Sequence, residues 1–445
     1  MDKDSISASQ ENSGLESSKG WPLWLVTVGP GIVYGLSVLG AGDIVTNSVA
    51  GASYRYSLIW SLWMALIFRY VWVNVSAKYV LVTGESLLEG YGRIGLWVPF
   101  VVLLGFLPAR HITNEYLMLM MGDTSNSLFP ISIEWGSQIW ACFFTLIGFA
   151  MTFWGGYPTI ERFCKVLVGI MGGSLLVAAM LSNPDPVGIA RGVFVPSLPQ
   201  ADGLQSALLI VMALIGTEAG STANLYYSYF IREKGWKGVS YLKRQRFDLA
   251  SGVLALFVMG ALLQIAAAGT INPLGIQVED SEDLGHMFTQ TQGTIGLIVF
   301  NLGLWGAAFS TFVGFNLGGA LVFTDICRNF VPKLKDSPIK KREDYNAKKD
   351  PIYRFMLAFW CITPLYVVFT EASMVWLVLM FNALQVMLIP VLAVPLLKIT
   401  NDRKLMGEYT NGWLTNSILI FLVLLAIYFT IQNAAELWAN LGRLI

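Results

Sequence analysis

The sequence predicts an all-α integral membrane protein with about eleven transmembrane helices. Three observations predict it. Hydrophobic residues make up 55% of the 445 and charged residues only 13%, against roughly 25% charged in a soluble domain. Apolar stretches of about 20 residues, enough for a helix to cross the hydrocarbon core, recur along the chain. Nothing reads as the alternating strands of a β-barrel, and lipid cannot satisfy the backbone of any other non-helical span.

Residues Met1 to Gly20 are Ser-rich, mixed in charge and without an apolar stretch. They read as a disordered cytoplasmic tail, not a signal peptide. Spans are then predicted near 22–54, 57–82, 95–121, 135–154, 160–181, 203–231, 247–270, 293–328, 352–369, 373–398 and 412–435. Residues 21–445 thus form one transmembrane domain. Cys142, Cys164, Cys327 and Cys361 show no paired spacing, so neither a disulfide framework nor a zinc site is indicated.

Loop charge sets the orientation. Arg232, Lys234, Lys237, Lys243, Arg244 and Arg246 lie between spans six and seven. Arg328, Lys333, Lys335, Lys340, Lys341, Arg342, Lys348 and Lys349 lie between spans eight and nine. The loop between spans seven and eight carries Glu279, Asp280, Glu282 and Asp283 and no Lys or Arg. Lysine and arginine stay on the cytoplasmic side. The N-terminus is therefore expected inside and, with an odd span count, the C-terminus outside. These basic loops read as topology signals before lipid-recognition sites.

Two spans have polar, flexible centres. One runs from Gly35 to Ser48 and contains Gly40, Gly42 and Asp43; the other runs from Gly216 to Asn224 and contains Glu218 and Gly220. Glycine weakens a helix by about 1 kcal/mol relative to alanine, so both segments invite unwinding. Interrupted helices at matching places in two halves point to the binding site of an inverted-repeat transporter. Spans one and six match if each repeat has five helices: 22–181 would be the first repeat, 203–398 the second and 412–435 an additional helix.

Asp43 and Glu218 are the chemically informative residues. An ionised carboxylate at the bilayer centre costs at least about 2.5–3.5 kcal/mol. Thr46 and Asn47 follow Asp43 by one helical turn, and Ser221 and Thr222 follow Glu218 likewise. Such a set of oxygen ligands suits a hard divalent cation. The competing structural reading is that Asp43 caps the restarting helix while Glu218 bonds a neighbouring span. Arg110, His111, Asn114 and Glu115 cluster in span three as a polar network, an outer vestibule or a proton path. Asn382 and Gln385 in span ten are placed to reach the site, whereas Asn301 and Asn316 read as interhelical hydrogen-bonding groups.

The chain resembles the Nramp family of divalent metal transporters. The resemblance is carried by Gly29-Pro30-Gly31, Ala50-Gly51-Ala52-Ser53, Tyr56-Ser57-Leu58-Ile59-Trp60 and Thr83-Gly84. It is carried further by Pro390, Pro395-Leu396-Leu397 and the stretch from Thr400 to Glu408. It implies a LeuT-like fold, two inverted five-helix repeats, and alternating access. Several family motifs are replaced. Gly40-Ala41-Gly42-Asp43 stands where the family has Asp-Pro-Gly-Asn. Ser221-Thr222-Ala223-Asn224 stands where it has Met-Pro-His-Asn. Asn114 and Leu117 stand at its helix-three acidic pair, and Asn382 keeps its helix-ten amide. The thioether that favours softer metals is gone, leaving oxygen donors, and the family's proton route is lost with the helix-six His.

The expected function is alternating-access transport of a hard divalent ion such as Mg²⁺ or Mn²⁺, without proton coupling. Gly40, Asp43, Thr46, Asn47, Glu218, Ser221, Thr222, Asn224 and Asn382 are the expected site. Two alternatives keep the fold: transport of a small non-metal solute or anion, and a non-transporting receptor-like role. An enzyme is not expected, for lack of a nucleophile–base pair or a phosphate-binding glycine loop and with only His111 and His286 as imidazoles. The expected partners are the ion or small solute and the lipid bilayer. No resident cofactor and no nucleic acid are expected, and the chain is read as a monomer in the cell membrane.

Overall fold

A computed structural model describes residues 39–154, 157–199, 206–233, 235–335, 347–370 and 372–441. The predicted tail, the first part of span one with Gly29-Pro30-Gly31, and the middle of the second basic loop lie outside them. The helices are α1 (Ala41–Tyr54), α2 (Ile59–Thr83), α3 (Leu87–Ile94), α4 (Trp97–Leu128), α5 (Gly136–Trp154) and α6 (Tyr157–Leu181). There follow α7 (Pro186–Phe194), α8 (Ala207–Glu218), α9 (Ala223–Glu233), α10 (Leu242–Thr270) and α11 (Ser281–Phe330). The last are α12 (Pro351–Ile362), α13 (Met374–Gln385), α14 (Leu388–Thr400) and α15 (Trp413–Leu441).

Among the described residues, eight helices are long and apolar enough to cross a membrane. The three expected spans not among them each have a physical reason. Span one is described only from residue 39. Span three, α4, carries buried Arg110, Asn114 and Glu115, which dilute its hydropathy. Span six is divided into α8 and α9.

The interruptions follow from particular residues. Gly40, with φ −77° and ψ 159°, is extended, and α1 starts immediately after it. In span six the helical hydrogen bonds stop at Ala219, and residues Gly220 to Thr222 separate the two halves. Gly216 does not unwind the chain as its helix propensity suggested. It lies inside α8, where a Cβ would come within 1.6 Å of the Asn382 carbonyl oxygen, so its role is close helix approach.

Three further breaks were not anticipated. Span ten divides at Val386–Met387 into α13 and α14. Pro390 has no N–H for the Val386 carbonyl and its ring would crowd that oxygen, so the Val386 carbonyl accepts instead from the Ile389 N–H in a tighter turn. Span nine passes into a 3₁₀ turn, Thr363–Phe369. Pro364 leaves the Trp360 carbonyl without its helical donor, and the Asn114 side chain supplies one at 2.8 Å. Span eight, α11, kinks at Gly293, whose φ of 64° suits glycine. The arm before the kink extends α11 into the acidic loop, where Asp280 caps it by accepting from the Glu282 and Asp283 N–H groups.

Two short helices were also missed, α3 and α7. Ser86 and Glu89 form a reciprocal capping box at α3, and Asp185-Pro186 starts α7. Both are sequence signals of a helix start. Just before α3, the Arg93 guanidinium holds the Glu85 carboxyl below its usual range.

The long helices pack in two groups. In one, α8 lies against α1 and α2, and α10 lies against the same two helices. In the other, α11 packs on α4, α6 and α12, and α5 on α4. Helix α13 bridges them, contacting α1, α4 and α8. Near the basic loops, Asp325 of α11 accepts from Ser86 at 2.8 Å and from Tyr229 of α9 at 2.7 Å, tying the groups at that end.

Candidate substrate site

The start of α1 and the break after α8 meet in the protein interior, with α13 alongside. Asp43 is the third residue of α1. One of its carboxylate oxygens accepts from the Gly40 N–H at 2.9 Å, and the other accepts from the Thr217 hydroxyl at 2.7 Å. The carboxylate thus lies at the positive end of α1, where backbone N–H groups lack helical partners. It caps the restarting helix and reaches the end of α8 together.

Glu218 is the last residue of α8 and is 1% exposed. It sits where the helix dipole disfavours a carboxylate. Arg69 of α2 reverses that, its guanidinium donating to Glu218 in a buried ion pair. Arg69 was not anticipated, although a charged residue in an apolar span carries the same signal as Asp43. With Arg69 paired to Glu218, the ionised cluster keeps one formal negative charge.

Amides and hydroxyls complete the lining. Asn382 donates to the Thr46 hydroxyl at 3.1 Å and accepts from Gln385 at 2.9 Å. Gln385 in turn accepts from the Thr222 N–H at 3.3 Å. A Cβ on Gly42 would stand 3.3 Å from both the Asn382 amide nitrogen and the Tyr116 hydroxyl. The amide of Asn224 reaches back across the break to the carbonyls of Glu218 and Ala219, at 2.9 and 3.2 Å. It caps the open end of α8 and holds the two halves in register. Ser221 is buried in the break itself.

The expected residues therefore divide. Asp43, Thr46, Glu218, Thr222, Asn224 and Asn382 come together around the breaks, with Gly40 contributing its backbone. Asn47 does not join them. Its amide donates to the Asp43 carbonyl and its oxygen accepts from Gln264 of α10 at 2.9 Å, so it belongs to the α1–α10 interface. No group of three or more His, Cys, Asp or Glu side chains suited to a metal occurs among the described residues. The donors are oxygens, one of them a carboxylate not held by a cation.

The polar cluster of span three also divides. Glu115 accepts from Tyr366 at 2.8 Å, and His111 lies 3.4 Å from the same oxygen and stacks on Tyr366. On another side of α4, Arg110 donates to Asn114 at 2.6 Å, and Asn114 donates to Asn316 at 2.8 Å. Arg110 is 0% exposed, and its Nε and Nη1 have no hydrogen-bond partner. Its guanidinium lies 4.8 Å over the Phe315 ring. Such a contact supplies about 2 kcal/mol when desolvated. Unmade charged donors cost about 1–3 kcal/mol or more each, so the ring alone does not balance the charge.

A helix that starts in the apolar interior and a second helix broken beside it, with charged and amide side chains at both ends, define a membrane transporter. The chain belongs to the Nramp family: the model of natural resistance-associated macrophage protein-like proteins matches residues 31–436. It is 23% identical over 422 residues to a metal transporter nramp1 homolog of Dictyostelium discoideum, covering 91% of this chain and 73% of that one. It is 21% identical over 435 residues to the divalent metal cation transporter MntH of Bacillus subtilis, covering 93% and 94%. Its fold matches a mutant of the Eremococcus coleocola manganese transporter, with TM-score 0.70, 17% identity and coverage of 96% and 95%. The nucleobase-cation-symport transporter Mhp1, in a closed conformation, matches at TM-score 0.57 and 12% identity over 92% of each chain. The fold is LeuT-like, built from two inverted five-helix repeats and one further helix.

Proposed function

We propose that this Nramp-family transporter carries a hard divalent cation, Mg²⁺ or Mn²⁺, by alternating access, with Asp43 as its anionic ligand. The observation that carries the proposal is the Asp43 carboxylate, buried where the start of α1 meets the break after α8 and surrounded by oxygen donors. Mg²⁺ keeps several of its waters and is held by one or two carboxylates, which matches a site with one carboxylate unclaimed by a cation. No thioether or thiol has been placed among these donors, so the softer preference that sulfur confers is absent.

The repeats at 22–181 and 203–398 would supply one broken helix each, with 412–435 outside them. The group of α1, α2, α8 and α10 would rock against the group of α4, α5, α11 and α12 around the site. The basic loops would face the cytoplasm of a cell-membrane protein. Arg69 would remain as counter-charge to Glu218 when the ion leaves. No observation favours an anion or a receptor role over this reading.

Uptake into sealed proteoliposomes tests it. Mg²⁺, Mn²⁺ and Ca²⁺ would be compared with lumenal pH recorded. Wild type should accumulate a divalent ion without matching acidification. Asp43→Ala should lower uptake by at least about tenfold, equivalent to 1.4 kcal/mol. No movement of any divalent ion, or equal uptake by Asp43→Ala, overturns the assignment.

A further inference from the structure

Arg69 lies near the middle of the 25-residue helix α2 and is buried. A guanidinium stays charged in proteins, so burial cannot neutralise it by proton loss. It donates to Glu218, the last residue of α8. The residue before Glu218 is Thr217, whose hydroxyl donates to Asp43 at 2.7 Å. The end of α8 therefore holds both carboxylates of the site, one through Thr217 and one as its own side chain. Arg69 acts electrostatically on Asp43 as well as on Glu218, and Asp43 acts on Glu218.

The charges set a balance that the neutral donors cannot. Two ionised carboxylates and one guanidinium leave the site one negative charge. Without Arg69 it would hold two, a full match for a divalent ion. Electrostatic attraction is strong away from water, so a fully matched site binds its ion tightly and frees it slowly. Conduction across a membrane needs binding favourable enough for entry and weak enough for exit. Thr46, Thr217 and Asn382 are uncharged and act on that balance only through dipoles. Arg69 is the cation that acts on both carboxylates, and α2 packs on α8, which places it there.

We propose that Arg69 sets the ion affinity of the Asp43 site by cancelling one of its two carboxylates. The inference rests on the cation reading above. The guanidinium is a tethered cation that takes Glu218 out of the ion's charge balance. The cargo binds against one uncompensated carboxylate and a set of neutral oxygens, and stays releasable. A mere strut between α2 and α8 would make loss of either partner harmful in the same direction. Charge setting makes the two losses act in opposite directions, because one deepens the negative charge of the site and the other abolishes it.

The test is calorimetric titration of the purified full chain in nanodiscs with Mg²⁺ and, without oxygen, Mn²⁺. A pH of about 8.5 favours the ionised form of a buried carboxyl freed from Arg69. Arg69→Gln should bind the ion at least about tenfold tighter than wild type. Glu218→Gln leaves the guanidinium facing Asp43 alone and should bind at least about tenfold weaker. Arg69→Gln/Glu218→Gln regains one net negative charge and should return to within about threefold of wild type. In proteoliposomes, Arg69→Gln should lower KM and kcat for uptake together, since a tighter ground state slows release. Shifts in the same direction in both single variants, or no tightening in Arg69→Gln, overturn the proposal. If Arg69→Gln does not fold, the other two variants decide. No weakening in Glu218→Gln, or no recovery in the double variant, then overturns it. A wild type that binds no divalent ion overturns the cation reading and this inference with it. A wild type that binds with the same affinity as every variant overturns this inference alone.

Discussion

At the scale of single residues, the site is governed by which buried charge has a partner. Asp43 and Glu218 were legible in the sequence because ionised side chains inside apolar spans are expensive. Arg69 carries the same signal in span two. Its pairing with Glu218 was not legible, since the two are 149 positions apart and meet only when α2 packs on α8. Asn47 was misplaced for a related reason: the helical period puts it one turn from Asp43, but its amide oxygen is taken by Gln264. Removing one member of a buried pair is costly because the other charge is stranded. Arg69→Gln should therefore destabilise the protein by about 3–5 kcal/mol. The double variant Arg69→Gln/Glu218→Gln strands no charge and should recover most of that loss. Denaturant unfolding in a mild detergent measures both. A double variant as unstable as Arg69→Gln would show that the pair is not what holds α2 to α8.

At the scale of elements, glycine and proline decide where helices break and how closely they approach. Sequence placed the break of span six correctly, and α1 starts just after Gly40, since both places have glycines beside polar residues. Its reason for Gly216 was wrong, because helix propensity cannot see a neighbouring helix. The breaks in spans nine and ten depend on Pro364 and Pro390, which were visible. Whether a proline kinks a span or ends it rests on what takes the freed carbonyl, and for Pro364 that is Asn114, 246 positions from the Trp360 oxygen it serves. Gly216→Ala should force α8 away from α13, since the added carbon meets the Asn382 carbonyl. Overpacking costs about 1–3 kcal/mol, and the displacement would also shift Asn382 from Thr46. Lower thermal stability with loss of uptake is expected. Gly173→Ala in α6 meets nothing within 4 Å and should be neutral or stabilising by up to about 1 kcal/mol. Equal behaviour of the two variants would show that the α8–α13 approach is unimportant.

At the scale of the whole molecule, the bilayer fixes both the composition and the direction of the chain. Segregation of Lys and Arg to the loops after spans six and eight predicts that those loops face the cytoplasm, with the acidic loop after span seven outside. The prediction is sharp because one reversal flips every loop together. Lys243 opens α10 at the basic end, and Glu282 opens α11 at the acidic end; both are exposed. Cys164, Cys327 and Cys361 are buried and Cys142 is half-buried, so a background with all four replaced by serine or alanine gives a clean readout. In intact cells, a membrane-impermeant maleimide should label Glu282→Cys and leave Lys243→Cys unlabelled. Permeabilised cells should label both. The opposite pattern would invert the molecule and move Asp325, Ser86 and Tyr229 to the outer face. Their hydrogen bonds would then tie the helices together at the outer end of the molecule and not at the cytoplasmic end.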